Sequence, residues 1–339
     1  MLSRSLQLLA LACLCSRLLS PQSHAASRKA ELDKPIRFQG ISDASAAIAV
    51  GSHFFITASD EECRLRIYNR QTGGDPIGAF NLISHLPLRG KSVELDLEGA
   101  AAIGNRLFWI GSHSRNRDGQ RRVNREQFFA VDLTLTTTVP TLAFVGHADD
   151  SFFDELCQSK PGREHQLSQA AAQSSRSREG LNIEGMCATP EGKLWIGFRT
   201  PIPNDRALLI ELENPQEVIA KKPARFGRSV TLDLNGLGIR DLVAQKAQIY
   251  ILAGPHGGKD KASLYRWDGN SSTAKGLKLP GLSDIQPEAI AVFASEGPEA
   301  LYVFTDSGNR SSAPKSPASA FFECYPIELK SKSPTPTPR

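Results

Sequence analysis

The sequence predicts an all-β protein of the β-propeller class, and three observations carry that prediction. One plan recurs five times: a polar or carboxylate start, a short apolar run, a turn, and then an alternating strand. It is plainest in residues 181–199, LNIEGMCATPEGKLWIGFR, and the other copies begin at Ser42, Asp96, Gly238 and Gln286. With Ser45, Glu98, Glu184, Asp241 and Glu288 taken as equivalent, the separations are 53, 86, 57 and 47 residues. Three of these lie near the roughly 50 residues of a four-stranded propeller blade. Within the copies, Phe, Trp, Val and Ile alternate at the strand period. A lone four-stranded sheet cannot bury both faces, so such copies pack around an axis. Five repeats are recognisable, and a sixth blade is open if the termini or an insertion complete one. A solenoid is the other arrangement for repeats, but its units are usually shorter and more regular.

Taken in order, residues 1–26 read as a secretory leader. Arg4 gives the positive start, Leu6 to Leu14 the apolar stretch, and Ser23-His24-Ala25 a small-residue cleavage site. The apolar run is too short to span a bilayer, and no later run approaches the length needed. The reading is an exported monomer, periplasmic or secreted, with no transmembrane segment. Net charge is +4 and 22% of residues are charged. Loss of Arg4 and Arg17 with the leader lowers the net charge to about +2, which does not describe a nucleic-acid binder.

Residues 34–329 then form a single propeller domain. A short strand at 34–40 precedes the first repeat, and 320–329 reads as a strand pair after the last, so the two termini are expected to share one blade and remove the open edges. Blade one holds FFITASDE and RLRIYNR with a turn at 73–76, and blade two holds RLFWIG, FFAVDL and TLAFVGH. The 86-residue interval contains an insertion at about 149–179. It is rich in Gln, Ser, Ala and Arg and is expected to be partly helical, with a cap at Asp150 or Ser151. Three further blades follow, and 330–339, KSKSPTPTPR, is a disordered tail. Beyond the leader stand Cys63, Cys157, Cys187 and Cys324. An exported chain permits disulfides; the preferred pairing is Cys63 with Cys324 across the ring closure and Cys157 with Cys187 at the insertion. Buried free thiols are the alternative.

Propeller strand order converts this sequence into a site. If each carboxylate-first run is innermost, Ser45, Glu98, Glu184, Asp241 and Glu288 converge on one axial face. The ends of the second strands return to the same face with Asp60, Glu61, Ser112, His113, Arg115, Arg199, Asp306 and Ser307. The longest loops gather there too, which is where rigid scaffolds usually carry function. Two chemistries fit. Glu98, Glu184, Asp241 and Glu288 could ligate Ca²⁺ or another divalent cation, which takes six to eight oxygens. Alternatively Glu98, His113, Glu184 and Asp241 act as catalytic acid-base groups while Arg115, Arg199, Arg240 and Asp306 bind a small anionic substrate. The arginine-rich loop 115–125 favours an acidic ligand. A purely architectural role stands beside both, in which the inner-strand acids accept backbone N–H groups of the next blade. The nucleophile-elbow, zinc-protease, P-loop and EF-hand signatures are absent.

Several motifs together resemble the bacterial domain-of-unknown-function 3616 family. They are Asp43-Ala-Ser45, Asp96-Leu-Glu-Gly99 with Gly111-Ser-His-Ser-Arg115, Asn182-Ile-Glu-Gly185 with Gly197-Phe-Arg199, Gly236-Leu-Gly-Ile-Arg-Asp241, Leu264-Tyr-Arg-Trp-Asp-Gly269, Pro287-Glu-Ala289 and Asp306-Ser-Gly308. The resemblance covers 36–329, departs from the pattern at Ala46, where glycine is usual, and extends more distantly to the phytase-like esterase propellers. It implies the fold; the family assigns no catalytic residue. The function expected is hydrolysis of an anionic ester or phosphoester, or else non-catalytic binding of a cell-envelope ligand or protein.

Overall fold

Every predicted copy is a four-stranded antiparallel sheet. The computed structural model describes residues 32–60, 62–90, 94–135, 139–149, 151–257, 262–293, 300–307 and 320–328. The expected leader and tail lie outside these residues, as do Glu61, Asp150 and most of the 306–319 loop. After the leading strand β1 (Ile36–Gln39), blade one is β2 (Ala46–Val50), β3 (Phe54–Ala58), β4 (Arg64–Asn69) and β5 (Gly78–Asn81). Blade two is β6 (Leu97–Ile103), β7 (Arg106–Gly111), β8 (Phe128–Thr134) and β9 (Thr141–Asp149). The insertion follows as α1 (Phe152–Gln158), α2 (Lys160–Glu164) and α3 (Leu167–Ala170).

Blade three is β10 (Asn182–Ala188), β11 (Leu194–Thr200), β12 (Ala207–Leu212) and β13 (Phe226–Leu232), with the short α4 (Pro215–Val218) between the last two. Blade four is β14 (Gly238–Gln245), β15 (Gln248–Gly254), β16 (Ser263–Trp267) and β17 (Lys275–Leu277). Blade five is β18 (Pro287–Phe293), β19 (Ala300–Thr305) and β20 (Phe321–Glu328), completed on its outer edge by β1. The inner strands β2, β6, β10, β14 and β18 contact one another in sequence and back to β2, so the ring has five blades.

The termini share a blade as expected, but 321–328 is one strand, not a pair. It is central to its sheet, and its Pro326 is opposite Tyr302 of β19 at a level that β1, paired only to Phe321–Cys324, does not reach. A residue without an N–H therefore breaks no ladder bond on the outer side.

The core is divided into the gaps between blades. One apolar cluster fills each of the five interfaces, and the one between blades two and three also takes in Phe152, Phe153, Leu156 and Leu167 of the insertion. This division corrects the disulfide expectation. Cys63 is buried in the blade one–two cluster, Cys157 in two–three, Cys187 in three–four and Cys324 in five–one, and all four are free thiols. A bridge needs Cα atoms within about 7 Å, whereas each of these cysteines serves as a small apolar filler in a different interface.

Candidate functional site

The axial site is built by one local irregularity repeated in four blades. Where β6 pairs with β7, the register jumps between Leu97 and Gly99, leaving Glu98 unpaired. The same jump falls at Glu184 in β10, at Arg240 in β14 and at Glu288 in β18. A bulge re-aims the extra residue out of the ladder, and here four such side chains meet at the axis. In blades two and three a glycine follows the bulge and lets the next blade close in: a Cβ on Gly99 would stand 3.2 Å from Met186 of blade three and 2.7 Å from Ile110 of its own blade, and one on Gly185 would stand 3.0 Å from Ile239 of blade four. In blade one the equivalent Ser45 is unbulged, and its hydroxyl donates to Asp60, at the end of the returning strand, at 2.6 Å.

The axis divides electrically into two halves. On the side of blades three to five, charges are paired. Arg199 Nη1 donates to Glu184 Oε1 at 2.6 Å, Asn182 Nδ2 donates to the same oxygen at 2.7 Å, and Arg240 donates to Glu288 while standing 4.0 Å from Glu184 Oε2. Burial opposes the Arg199 charge, but Glu184 outweighs it and raises the pKa; burial and then Arg199 lower that of Arg240.

On the side of blades one and two, acids predominate. Asp60, Asp96 and Glu98 each bring a carboxylate oxygen into a group whose members lie within 4.8 Å of one another. Asp96 accepts from Ser112 and, at 2.7 Å, from Arg125, while Asp60 accepts from Ser45. Half-buried Glu98 makes no hydrogen bond or ion pair with any described residue. Burial, then repulsion from Asp60, Glu184 and Asp96, holds the Glu98 carboxyl well above its usual range; burial, then Asp96 and Asp43, does the same to Asp60. Asp96 is raised by burial against the opposing Arg125.

The structure therefore brings together Glu98, Glu184, Glu288, Arg199 and Arg240, with Asp306 next to them: its N–H donates to Gln286 at 3.1 Å, and its charge acts on Arg240. Three other expected site residues are elsewhere. Asp241 turns into the sheet, where its carboxylate accepts the N–H of Leu242 and that of Ile290 in the next blade, both at 2.7 Å. His113 faces away from the axis: Ser112 and Ser114 lie against Asp96, and the imidazole between them in sequence packs 5.7 and 5.6 Å from Phe152 and Phe153 of α1. Arg115 donates to the carbonyls of Ala171 and Gly119, at 2.6 and 3.0 Å, and so ties its loop to the insertion.

The blade-four equivalence in the repeat alignment is thus corrected by one residue, from Asp241 to Arg240. The signal was an apolar middle position: Asp43-Ala-Ser45, Asp96-Leu-Glu98, Asn182-Ile-Glu184, Gly238-Ile-Arg240 and Gln286-Pro-Glu288 align on it. The same alignment marks Asp96, which the sequence reading had not selected.

A five-bladed propeller with an acidic, bulge-built axial mouth is the class that this fold and site define. The chain belongs to the family described as Protein of unknown function (DUF3616), whose model matches residues 43–140 and 163–314. No curated protein matches the chain. Among solved structures, Myxococcus xanthus glutaminyl cyclase is similar at 12% identity and TM-score 0.48, over 89% of this chain and 100% of that one. The major Malassezia sympodialis allergen Mala s 1 is similar at 12% identity and TM-score 0.49, over 89% and 98%. A GH43_1 enzyme from Xanthomonas citri is similar at 10% identity and TM-score 0.46, over 86% and 90%.

Proposed function

We propose that the protein is an exported hydrolase of small anionic esters or phosphoesters that works at the axial mouth with a bound divalent cation such as Ca²⁺. The observation that carries this reading is the group Asp60, Asp96 and Glu98, whose oxygens lie within 4.8 Å of one another, while Glu98 makes no hydrogen bond or ion pair with any described residue. Three carboxylates this close repel unless protonated or bridged, and a hard cation with oxygen ligands relieves them. Asp60, Asp96 and Glu98 would hold it, with the Ser45 hydroxyl beside them. A cation there supplies polarisation of an ester or phosphoryl oxygen and a more acidic water. Arg199 and Arg240, across the axis, orient the anionic group of the substrate. Glu184, against both arginines, receives the proton of the attacking water. The leader at 1–26 supports export to the periplasm or medium.

The test is a panel of nitrophenyl carboxylate and phosphate esters assayed with and without Ca²⁺, on wild type and Glu98→Gln. Activity that needs the cation and is lost in the variant supports the reading, and inactivity of wild type on the whole panel overturns it. One observation favours the non-catalytic alternative: Glu184 with Arg199 and Glu288 with Arg240 are already paired, as in a rigid ligand-binding rim. Cation binding without turnover of any ester would select that reading. Among the described residues no helix is long and apolar enough to cross a membrane.

A further inference from the structure

A cavity opens off the axis beside blade three, where the helical insertion faces the β11–β12 connection. It holds about 380 Å³, within the size range of small-ligand pockets. Gln166, Gln169 and Gln173 wall it on the insertion side, and Pro201, Pro203 and Asn204 on the other. The charged groups around it are already committed. Arg178 donates to Asp205, bridging the two walls, and Glu179 accepts from the Ser177 hydroxyl at 2.8 Å. His165 Nε2 and the Ser229 hydroxyl stand 3.0 Å apart, which fastens the insertion to β13. The four carboxamides, in contrast, are exposed to solvent, and none makes a side-chain hydrogen bond to any described residue. Each offers both a donor group and an acceptor oxygen to whatever enters.

These groups define the ligand. Arg178 and Glu179 offset one another, so a neutral group with donors and acceptors is favoured over an ion. Among the described residues no phenyl, phenol or indole ring lines the cavity, so it has no flat surface for the C–H face of a sugar ring. The spacing of the glutamines supplies the rest. Gln169 and Gln173 are four positions apart on a stretch that stays helical: Ala171 N–H donates to the Leu167 carbonyl at 2.8 Å, and Gln173 N–H to that of Ala170 at 3.0 Å. Such turns advance about 6–8 Å over four residues and put both side chains on one face. In an extended chain the N–H and C=O of one residue point to the same side, and the next residue to do so lies about 6.6 Å further on. A carboxamide matches that pair with its own oxygen and NH2 group. Gln166 and Asn204 are held in left-handed backbone, at φ 53° and 52°, a conformation that is uncommon for glutamine and recurs at ligand clamps. We propose that this cavity binds an extended, uncharged peptide segment of about three residues. Gln169 and Gln173 clamp alternate residues, Asn204 meets the opposite edge of the backbone, and one side chain packs on Pro201 and Pro203. This site is separate from the axial mouth and does not rest on the hydrolase reading.

The experiment is calorimetric titration of the protein with acetyl-Ala-Val-Ala-amide, with the same peptide methylated at every backbone nitrogen, and with maltotriose. Saturable binding of the unmethylated peptide is expected in the millimolar range. Methylation, which removes the backbone donors, should weaken it at least about tenfold, and so should the double variant Gln169→Ala with Gln173→Ala. Both glutamines are exposed, so the variant keeps the fold, and an unchanged Tm checks this. Glu98→Gln, on the axis, leaves binding unchanged. The proposal is overturned if the peptide does not bind by about 50 mM, if the methylated form or the double variant binds as the originals do, or if maltotriose binds and the peptide does not. Loss of binding in Glu98→Gln with retention in the double variant would assign the peptide to the axis instead.

Discussion

Asp241 Oδ2 accepts the backbone N–H of Ile290 at 2.7 Å, joining the inner strand of blade four to that of blade five. Its other oxygen holds Leu242 N–H at the same distance. This is a clasp between blades, with both partners buried, and it accounts for a fully enclosed carboxyl whose pKa burial raises against the two N–H donors. Asp241→Ala leaves two buried donors unsatisfied, each costing about 1–3 kcal/mol. Urea unfolding should show a loss in that range or above it; a loss under about 0.5 kcal/mol would remove the clasp from the account.

Glu98→Gln is expected to stabilise the cation-free protein, because it removes one of three clustered charges. The direction with pH follows from the raised pKa values of Asp60 and Glu98. Their contribution is full below the unfolded value of roughly 4 and is lost as pH rises through the folded one. Cation-free wild type should therefore gain stability from this pair on acidification through that window, and the variant should gain less. Added Ca²⁺ should raise the Tm of wild type near neutral pH and not that of Glu98→Gln. Equal Ca²⁺ responses in the two proteins would place the cation elsewhere.

Arg240 and Glu288 come from the bulges of adjacent blades, with side chains 10% and 24% exposed. Arg240→Met alone strands Glu288 next to Glu184 and should cost about 3–5 kcal/mol. Combining it with Glu288→Leu should recover most of that loss, since two apolar groups replace a desolvated pair. A double-mutant cycle gives the coupling, and additive losses would show that the pair does not act as a unit.

Cys63, Cys157, Cys187 and Cys324 should be silent to a thiol reagent in the native protein and all react after denaturation. Burial pushes the Cys63 and Cys157 thiols up to about 11 and raises those of Cys187 and Cys324 as well. Reductant should leave the Tm unchanged, whereas a fall in Tm on reduction would restore a bridge.

The fold was legible because blade repetition is a sequence signal: spacing, turn residues and strand alternation all recur. The axial acids Glu98, Glu184 and Glu288 were legible for the same reason. What alignment by charge could not resolve was the bulge, a backbone irregularity that moves the axial position in blade four from the acid at 241 to the arginine before it. His113 was grouped with the acids because it follows the correct strand. Its left-handed backbone just beyond β7, with φ 53°, goes with a side chain on the opposite side from Ser112 and Ser114, and nothing in its neighbours' identity records that. The cysteine pairing failed on a related point, since sequence gives the blade of each thiol but not which of its two faces the thiol occupies.

The edge strand β1 lies on β20, and Phe38 packs 5.2 Å from Phe322 and 5.0 Å from Phe55 at the junction of blades five and one. Residues made near the start of the chain are thus latched by residues made almost three hundred positions later. During synthesis, blades two to four can assemble on their neighbours as they appear, and β18 and β19 then bring Phe293 and Phe304 to the seam, but β1 has no strand to pair with until 321–328 emerges. That latch closes last, so a nascent or clipped chain lacking the strand would leave Phe38 without Phe322 and present that part of the seam to whatever chaperone or protease is at hand.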